Sequence, residues 1–181
     1  MPRAPTAGRI ARCGLGLLSW LMLVAGLDAD TARAALDAGR PACDYCRMIF
    51  GEAGFGGEIA TRSGQRKIYD SVECMAAAVL TDSVSQGEIR AIWLVDHVAP
   101  HARLPLPSAI FLHCPALESP MGLSLAAFAT RRSARRACSA SSGRLLDWRG
   151  VLTQVDRTWF QGELSVERHA AIPHMSRARH R

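Results

Sequence analysis

The stretch YDSVECMAAAVL, Tyr69 to Leu80, decides how the rest of the chain is read. Its alanines favour helix, and Asp70 or Ser71 offers a side-chain oxygen to the first free backbone amides. Glu73 stands three residues after Asp70 and completes a capping-box pattern, so the spacing predicts a helix over 72–80. Upstream, 59–62 and 65–69 flank Ser63-Gly64 and read as a hairpin. Downstream, Gly87 closes the helical region and IRAIWLV, Ile89 to Val95, reads as a strand. The order is strand, strand, helix, strand.

The same order follows a second time. Residues 96–107, rich in Pro and His, read as a connection. AIFLH (109–113) is a strand, Ser119-Pro120-Met121-Gly122 a turn, and 123–128 a returning strand. Thr130 caps a helix over 131–139, Gly143 stops it, and 144–148 is a last strand. An aromatic residue, Tyr69 or Phe128, precedes each helix start. The expectation is an α+β fold of two similar ββαβ halves packed together, about 43–96 and 108–152. Residues 156–181 read as a basic, disordered tail.

Composition narrows the function. The 181 residues carry 22 Lys+Arg against 16 Asp+Glu, a formal charge of +6, with 49% hydrophobic and 21% charged residues, which describes a folded domain and not a disordered chain. Aromatics at 6% offer no stacking surface for nucleic acid. Outside the N-terminus no apolar run approaches the roughly 20 residues of a membrane span. Lys67 is the single lysine, which reflects compositional bias more than chemistry.

The N-terminus reads as an export signal. Arg3, Arg9 and Arg12 precede the 15-residue apolar run Cys13 to Leu27, and Ala32-Arg33-Ala34 matches the small-x-small cleavage pattern. Cleavage after Ala34 into the periplasm is the expectation. Cys13 lies before the apolar core and not after it, so no lipoprotein and no stable membrane anchor are expected. The chain from residue 35 keeps Cys43, Cys46, Cys74, Cys114 and Cys138, an odd number that cannot be fully paired within one chain.

Sulfur then dominates the candidate site. Cys43-x-x-Cys46-x-Met48 places two thiols and a thioether within six residues. Soft sulfur donors select soft ions, Cu(I) above all, while a thioether adds little to Zn(II). A plain disulfide or a redox CxxC is the alternative for the pair. Cys74-Met75 opens the first helix, where a thiolate is favoured, or else belongs to the core. Met121, between Pro and Gly in a turn, suits display as a ligand better than core filling. Cys114 and Cys138 lack a soft neighbour and read either as a structural disulfide or as buried thiols. His97, His101 and His113 match no fixed metal spacing, and His169, His174 and His180 with Met175 fall in the tail. Arg131, Arg132, Arg135 and Arg136 share one helix and read as a solvated face or, more sharply, as a contact for an acidic partner. No dinucleotide fingerprint, phosphate loop, G-x-S-x-G elbow or HExxH motif is present. Nothing in the sequence organises a nucleophile with a base, so an enzyme is not expected.

The export signal, C-x-x-C-x-M, the run Tyr69 to Met75, and Ser119-Pro120-Met121-Gly122 followed by Ala127-Phe128 together resemble the NosL family of nitrous-oxide reductase accessory proteins. The resemblance covers about residues 43–152 and implies a paired ββαβ fold, shared in outline with organomercurial lyase. It implies a periplasmic Cu(I) metallochaperone. Its copper goes to the copper–sulfide centre of nitrous-oxide reductase, with a membrane ABC-type machinery as partner. Cys43, Cys46, Met48 and Met121 carry over as metal-binding positions, with Cys74 and Met75 as further candidates. A homodimer stands open. The family commonly has glycine where this chain has Arg47, and many members are lipoproteins. Two rivals remain: a periplasmic thiol–disulfide oxidoreductase using Cys43 and Cys46, and a mercury- or organomercurial-handling protein. A structural zinc module would need two ligands that the spacing does not supply.

Overall fold

The computed structural model describes residues 41–51, 54–138 and 143–171. Among the described residues, two antiparallel sheets and four α-helices make up the mixed α/β architecture. The first sheet runs β2-β1-β3-β4, with β1 Gly57–Thr61, β2 Arg66–Tyr69, β3 Ile89–Asp96 and β4 Ala99–Pro105. The second runs β6-β5-β7, with β5 Ile110–His113, β6 Leu125–Phe128 and β7 Arg144–Leu146. The helices are α1 Val72–Leu80, α2 Arg131–Arg136, α3 Trp148–Trp159 and α4 Val166–Ala170. In each sheet the first strand of its run lies between the other two of the predicted trio. β4 has no counterpart in the second sheet.

The hairpin forms where expected, with Glu58 opposite Ile68 and Ala60 opposite Arg66. Helix α1 keeps its predicted limits, yet its cap is Ser71 and not Asp70. Ser71 is extended (φ −147°, ψ 159°) and its Oγ accepts the Cys74 amide at 3.1 Å. The capping box through Asp70 and Glu73 therefore does not exist. All nine residues of α1 are buried, as expected of a helix covered on every side. It packs on β1, β2 and β6 and against α3, and Ala76, Ala77 and Ala78 allow those neighbours to come close.

Three segments depart from the sequence reading. The connection over 96–107 contains β4, an edge strand on β3 with Leu104 opposite Leu94. Two of its residues are prolines, Pro100 and Pro105, which suits an edge. The strand expected to 148 stops at Leu146. Asp147 accepts the Gly150 amide at 2.8 Å and starts α3, whose Trp148, Val151, Leu152 and Val155 are buried. The disordered tail is corrected for 156–171. Asp156 Oδ1 accepts the Leu164 amide at 3.0 Å, and His169 in α4 is fully buried between Ser165 O and Asp82 Oδ1. His174, Met175 and His180, like the expected signal 1–34, lie outside the described residues.

Cys114 and Cys138 form a disulfide 24 residues apart, joining the segment after β5 to the end of α2. Closing a loop of that length restricts the unfolded chain by about 3 kcal/mol. The His97 ring packs between Phe55 and Phe128, centroids 4.8 and 5.3 Å away, and Nδ1 bonds Gly54 O.

Candidate metal centre

The CxxC motif forms a tight loop held at both ends. Ala42 bridges Ile49, and the Phe50 amide donates to Pro41 O at 3.0 Å. Inside it, the Cys43 amide donates to Met48 O at 2.9 Å and the Arg47 amide to Cys43 O at 3.0 Å. The loop docks on the free edge of β2: the Asp44 amide donates to Ile68 O at 2.8 Å, and Asp44 Oδ2 accepts the Ile68 amide at 2.6 Å. The turn requires φ +66° at Arg47, the left-handed region that costs a side-chain-bearing residue about 1–2 kcal/mol. Arg47→Gly is expected to stabilise the chain by about 1 kcal/mol in denaturant melts, the gain reduced by the greater freedom of glycine when unfolded.

This docking sets the loop against the start of α1. The candidate donor atoms of Cys43, Cys46, Asp70 and Cys74 all lie within 4.8 Å of one another. Two donors on opposite sides of one ion, at bonds of about 2.3 Å, stand about 4.6 Å apart, so the four suit a single soft cation with slight contraction. Cys43 and Cys74 are fully buried and Cys46 is half-buried. The Cys46 thiol donates to Asp70 Oδ2 at 3.4 Å. Asp70 Oδ1 is buried without a hydrogen-bond partner among the described residues.

The sulfurs are electrostatically unequal. Cys43 is lowered to about 6, chiefly because the Cys74 thiol donates to it, helped by backbone donors at Asp70, Cys46 and Tyr45 and opposed by burial. Cys74 is pushed up, first by that same bond and then by burial. Burial raises Cys46 to about 11. Cys43 is thus the thiol that ionises first, favoured by the neighbouring Cys74 thiol, and a bound cation would displace protons from the other two.

Of the six sulfur positions singled out in the sequence, Cys43, Cys46 and Cys74 converge. Met48, two residues beyond Cys46, is 48% exposed. Met75 is fully buried, its Cε close enough to Gly57 that a Cβ there would lie 2.4 Å away, which places Met75 in the core against β1. Met121 is half-buried on the main core, not displayed, within a turn closed by the Gly122 amide on Ser119 O at 3.0 Å. That turn reaches α1 all the same. Ser119 Oγ donates to the buried Glu73 carboxylate, next to Cys74. Asp70 is the residue the sequence reading assigned to a cap and missed as a donor.

The NosL family model matches residues 35–155. The chain belongs to the NosL family. Its fold is similar to the crystal structure of the copper chaperone NosL from Shewanella denitrificans, at 17% identity and a TM-score of 0.51, over 59% of this chain and 86% of that one. No curated protein matches the chain. No helix among the described residues is long and apolar enough to cross a membrane.

Proposed function

We propose that this NosL-family chain is a periplasmic Cu(I) metallochaperone that supplies copper for the copper–sulfide centre of nitrous-oxide reductase, working with a membrane ABC-type machinery. The observation that carries the metal reading is the convergence of three free thiols and Asp70 within 4.8 Å. Cu(I) is among the ions that soft thiolate donors select, and the resemblance to a copper chaperone supports the choice. The reductase and its machinery come from the family resemblance. Anaerobic titration of the reduced chain against a Cu(I) chelator tests the function. One tightly bound Cu(I) per chain or per dimer, with sulfur-dominated X-ray absorption, is expected. A shell of oxygen and nitrogen alone would sink it.

Cys43, Cys46 and Cys74 form the core of the proposed site, with Asp70 beside them. Met121 is proposed as an exchange ligand, because the Ser119–Glu73 bond ties its turn to the first turn of α1. A thioether is neutral and leaves Cu(I) readily. Met121→Ala is expected to weaken Cu(I) binding while costing about 1–2 kcal/mol in apo-protein melts, below the roughly 2–5 kcal/mol of a fully buried methionine. Large destabilisation with unchanged copper affinity would make Met121 a core residue only. For export, mass spectrometry of the periplasmic product should find an N-terminus at Ala35, and a diacylglyceryl adduct would refute the unanchored reading.

A further inference from the structure

The four arginines of α2 are not equivalent. Arg131 and Arg135 stand four residues apart on one side of the helix, and both line a hollow of about 590 Å³ together with Arg144 of β7. Arg132 and Arg136, about 100° further round the helix, do not line it. The hollow exists because α2 packs on β5 and β6, whereas β7 lies on the far side of β5. Leu145 of β7 stands opposite Leu112 of β5. It joins the core cluster of Leu112 and Ala134 only as a partly buried residue, and the two leucines supply the apolar part of the wall.

The positive charge in this hollow is uncompensated. The ion pairs of the described residues use Arg66, Arg103, Arg149 and His169, and none uses Arg131, Arg135 or Arg144. Arg144 donates to Gln154 Oε1 at 2.9 Å, a neutral acceptor. No Asp or Glu of the described residues lines the hollow. His113, paired with Arg144 across β5 and β7, has its pKa lowered by burial and then by that guanidinium.

An inorganic anion would meet the guanidiniums and leave the leucines bare. An apolar ligand would cover the leucines and strip water from three charges without replacing it, which is costly. A ligand that meets both carries carboxylates on either side of an aliphatic group. β7 is the edge of its sheet, and a sheet edge recognises extended peptide through the main chain. We propose that this face docks an extended acidic segment of a partner protein, with an aliphatic side chain over Leu112 and Leu145 and flanking carboxylates on Arg131, Arg135 and Arg144. Guanidinium suits the task because it takes a carboxylate through two parallel N–H donors. The hollow shares no residue with the thiol cluster, so docking does not depend on the metal reading.

The probe is the capped pentapeptide Glu-Glu-Leu-Glu-Glu carrying a fluorophore. It is added to the full chain with its Cys114–Cys138 disulfide intact and read by anisotropy at about 0.15 M salt, where exposed charges more than about 8 Å apart are largely screened. Gln-Gln-Leu-Gln-Gln should bind at least about tenfold more weakly, and Glu-Glu-Gly-Glu-Glu at least about threefold more weakly. Arg131→Gln combined with Arg135→Gln should weaken the acidic probe by at least about tenfold. Arg132→Gln combined with Arg136→Gln removes the same charge from the same helix and should weaken it by less than about twofold. All four side chains are exposed, so neither double variant disturbs the core. Equal losses in the two double variants would mean attraction to any anionic surface, a lipid bilayer included, and would overturn the proposal. Undetectable binding of the probe, or equal binding of either control peptide to the wild-type chain, overturns it whether or not the variants fold.

Discussion

Cys74→Ser should weaken Cu(I) binding by at least about 100-fold, because a hydroxyl is a poor ligand for a soft ion and this sulfur is one of the four clustered donors. The position is fully buried, and its amide keeps the bond to Ser71 Oγ through the backbone, so helix α1 retains its cap. The Cys43 thiolate loses its sulfur donor and keeps three backbone donors. Met48→Leu, by contrast, should change affinity by less than about threefold, since Met48 is half in solvent. Chelator competition on both variants checks the ranking. The reverse order would return the site to a local C-x-x-C-x-M motif and make the convergence on α1 incidental. Unfolding of the Cys74 variant is read separately by denaturant melts, so a lost fold is not mistaken for a lost ligand.

Helix α1 was legible because propensity, a cap and a flanking hairpin agree over 59–80. The choice between Asp70 and Ser71 as cap was not legible, since either side chain reaches the first amides. Backbone geometry decides it. With Ser71 extended and bonded to Cys74, Asp70 falls outside the helix and turns to the sulfurs. The residue that joins the thiols is thus the one local rules had already given a duty. Helix α3 carries an apolar spacing at 148, 151, 152, 155 and 159 that is helical in period. Gly150 and the β-branched Val151, Thr153 and Val155 obscured it. β4 has no alternation to read, because it is an edge with five exposed residues before Leu104. The methionines divide for a tertiary reason. Met75 faces β1, where Gly57 leaves room for its methyl group, and no spacing rule separates such a core thioether from a displayed one.

Glu73→Gln should stabilise the apo protein at neutral pH and remove a pH dependence from its folding. Glu73 is fully buried in the first turn of α1. Ser119 Oγ donates to its Oε1, Ser119 Oγ in turn accepts the Ser124 amide at 2.9 Å, and Oε2 has no partner among the described residues. Burial raises the pKa of the carboxyl, and the Ser119 bond only partly opposes that. A group that holds its proton more tightly when folded contributes stability that is complete below the unfolded value, near ~4.3 for glutamate. That contribution is lost as pH rises through the higher folded value. At neutral pH the folded chain therefore carries the penalty of a buried charge or of a retained proton. Glutamine keeps the acceptor for Ser119 and carries no charge, so it escapes both, although its buried amide N–H groups take back part of that gain at every pH. The difference in unfolding free energy between wild type and variant, measured anaerobically at pH 4 and pH 8, isolates this one group. It should grow in favour of glutamine as pH rises. A constant difference would mean that the carboxyl titrates alike in both states. A difference favouring glutamate at pH 8 would mean that the ionised form is stabilised where it lies. The Ser119–Glu73 bond also fastens the turn of Met121 to the helix of Cys74. If Ser119→Ala weakens Cu(I) binding while Glu73→Gln leaves it unchanged, the bond and not the charge positions that turn.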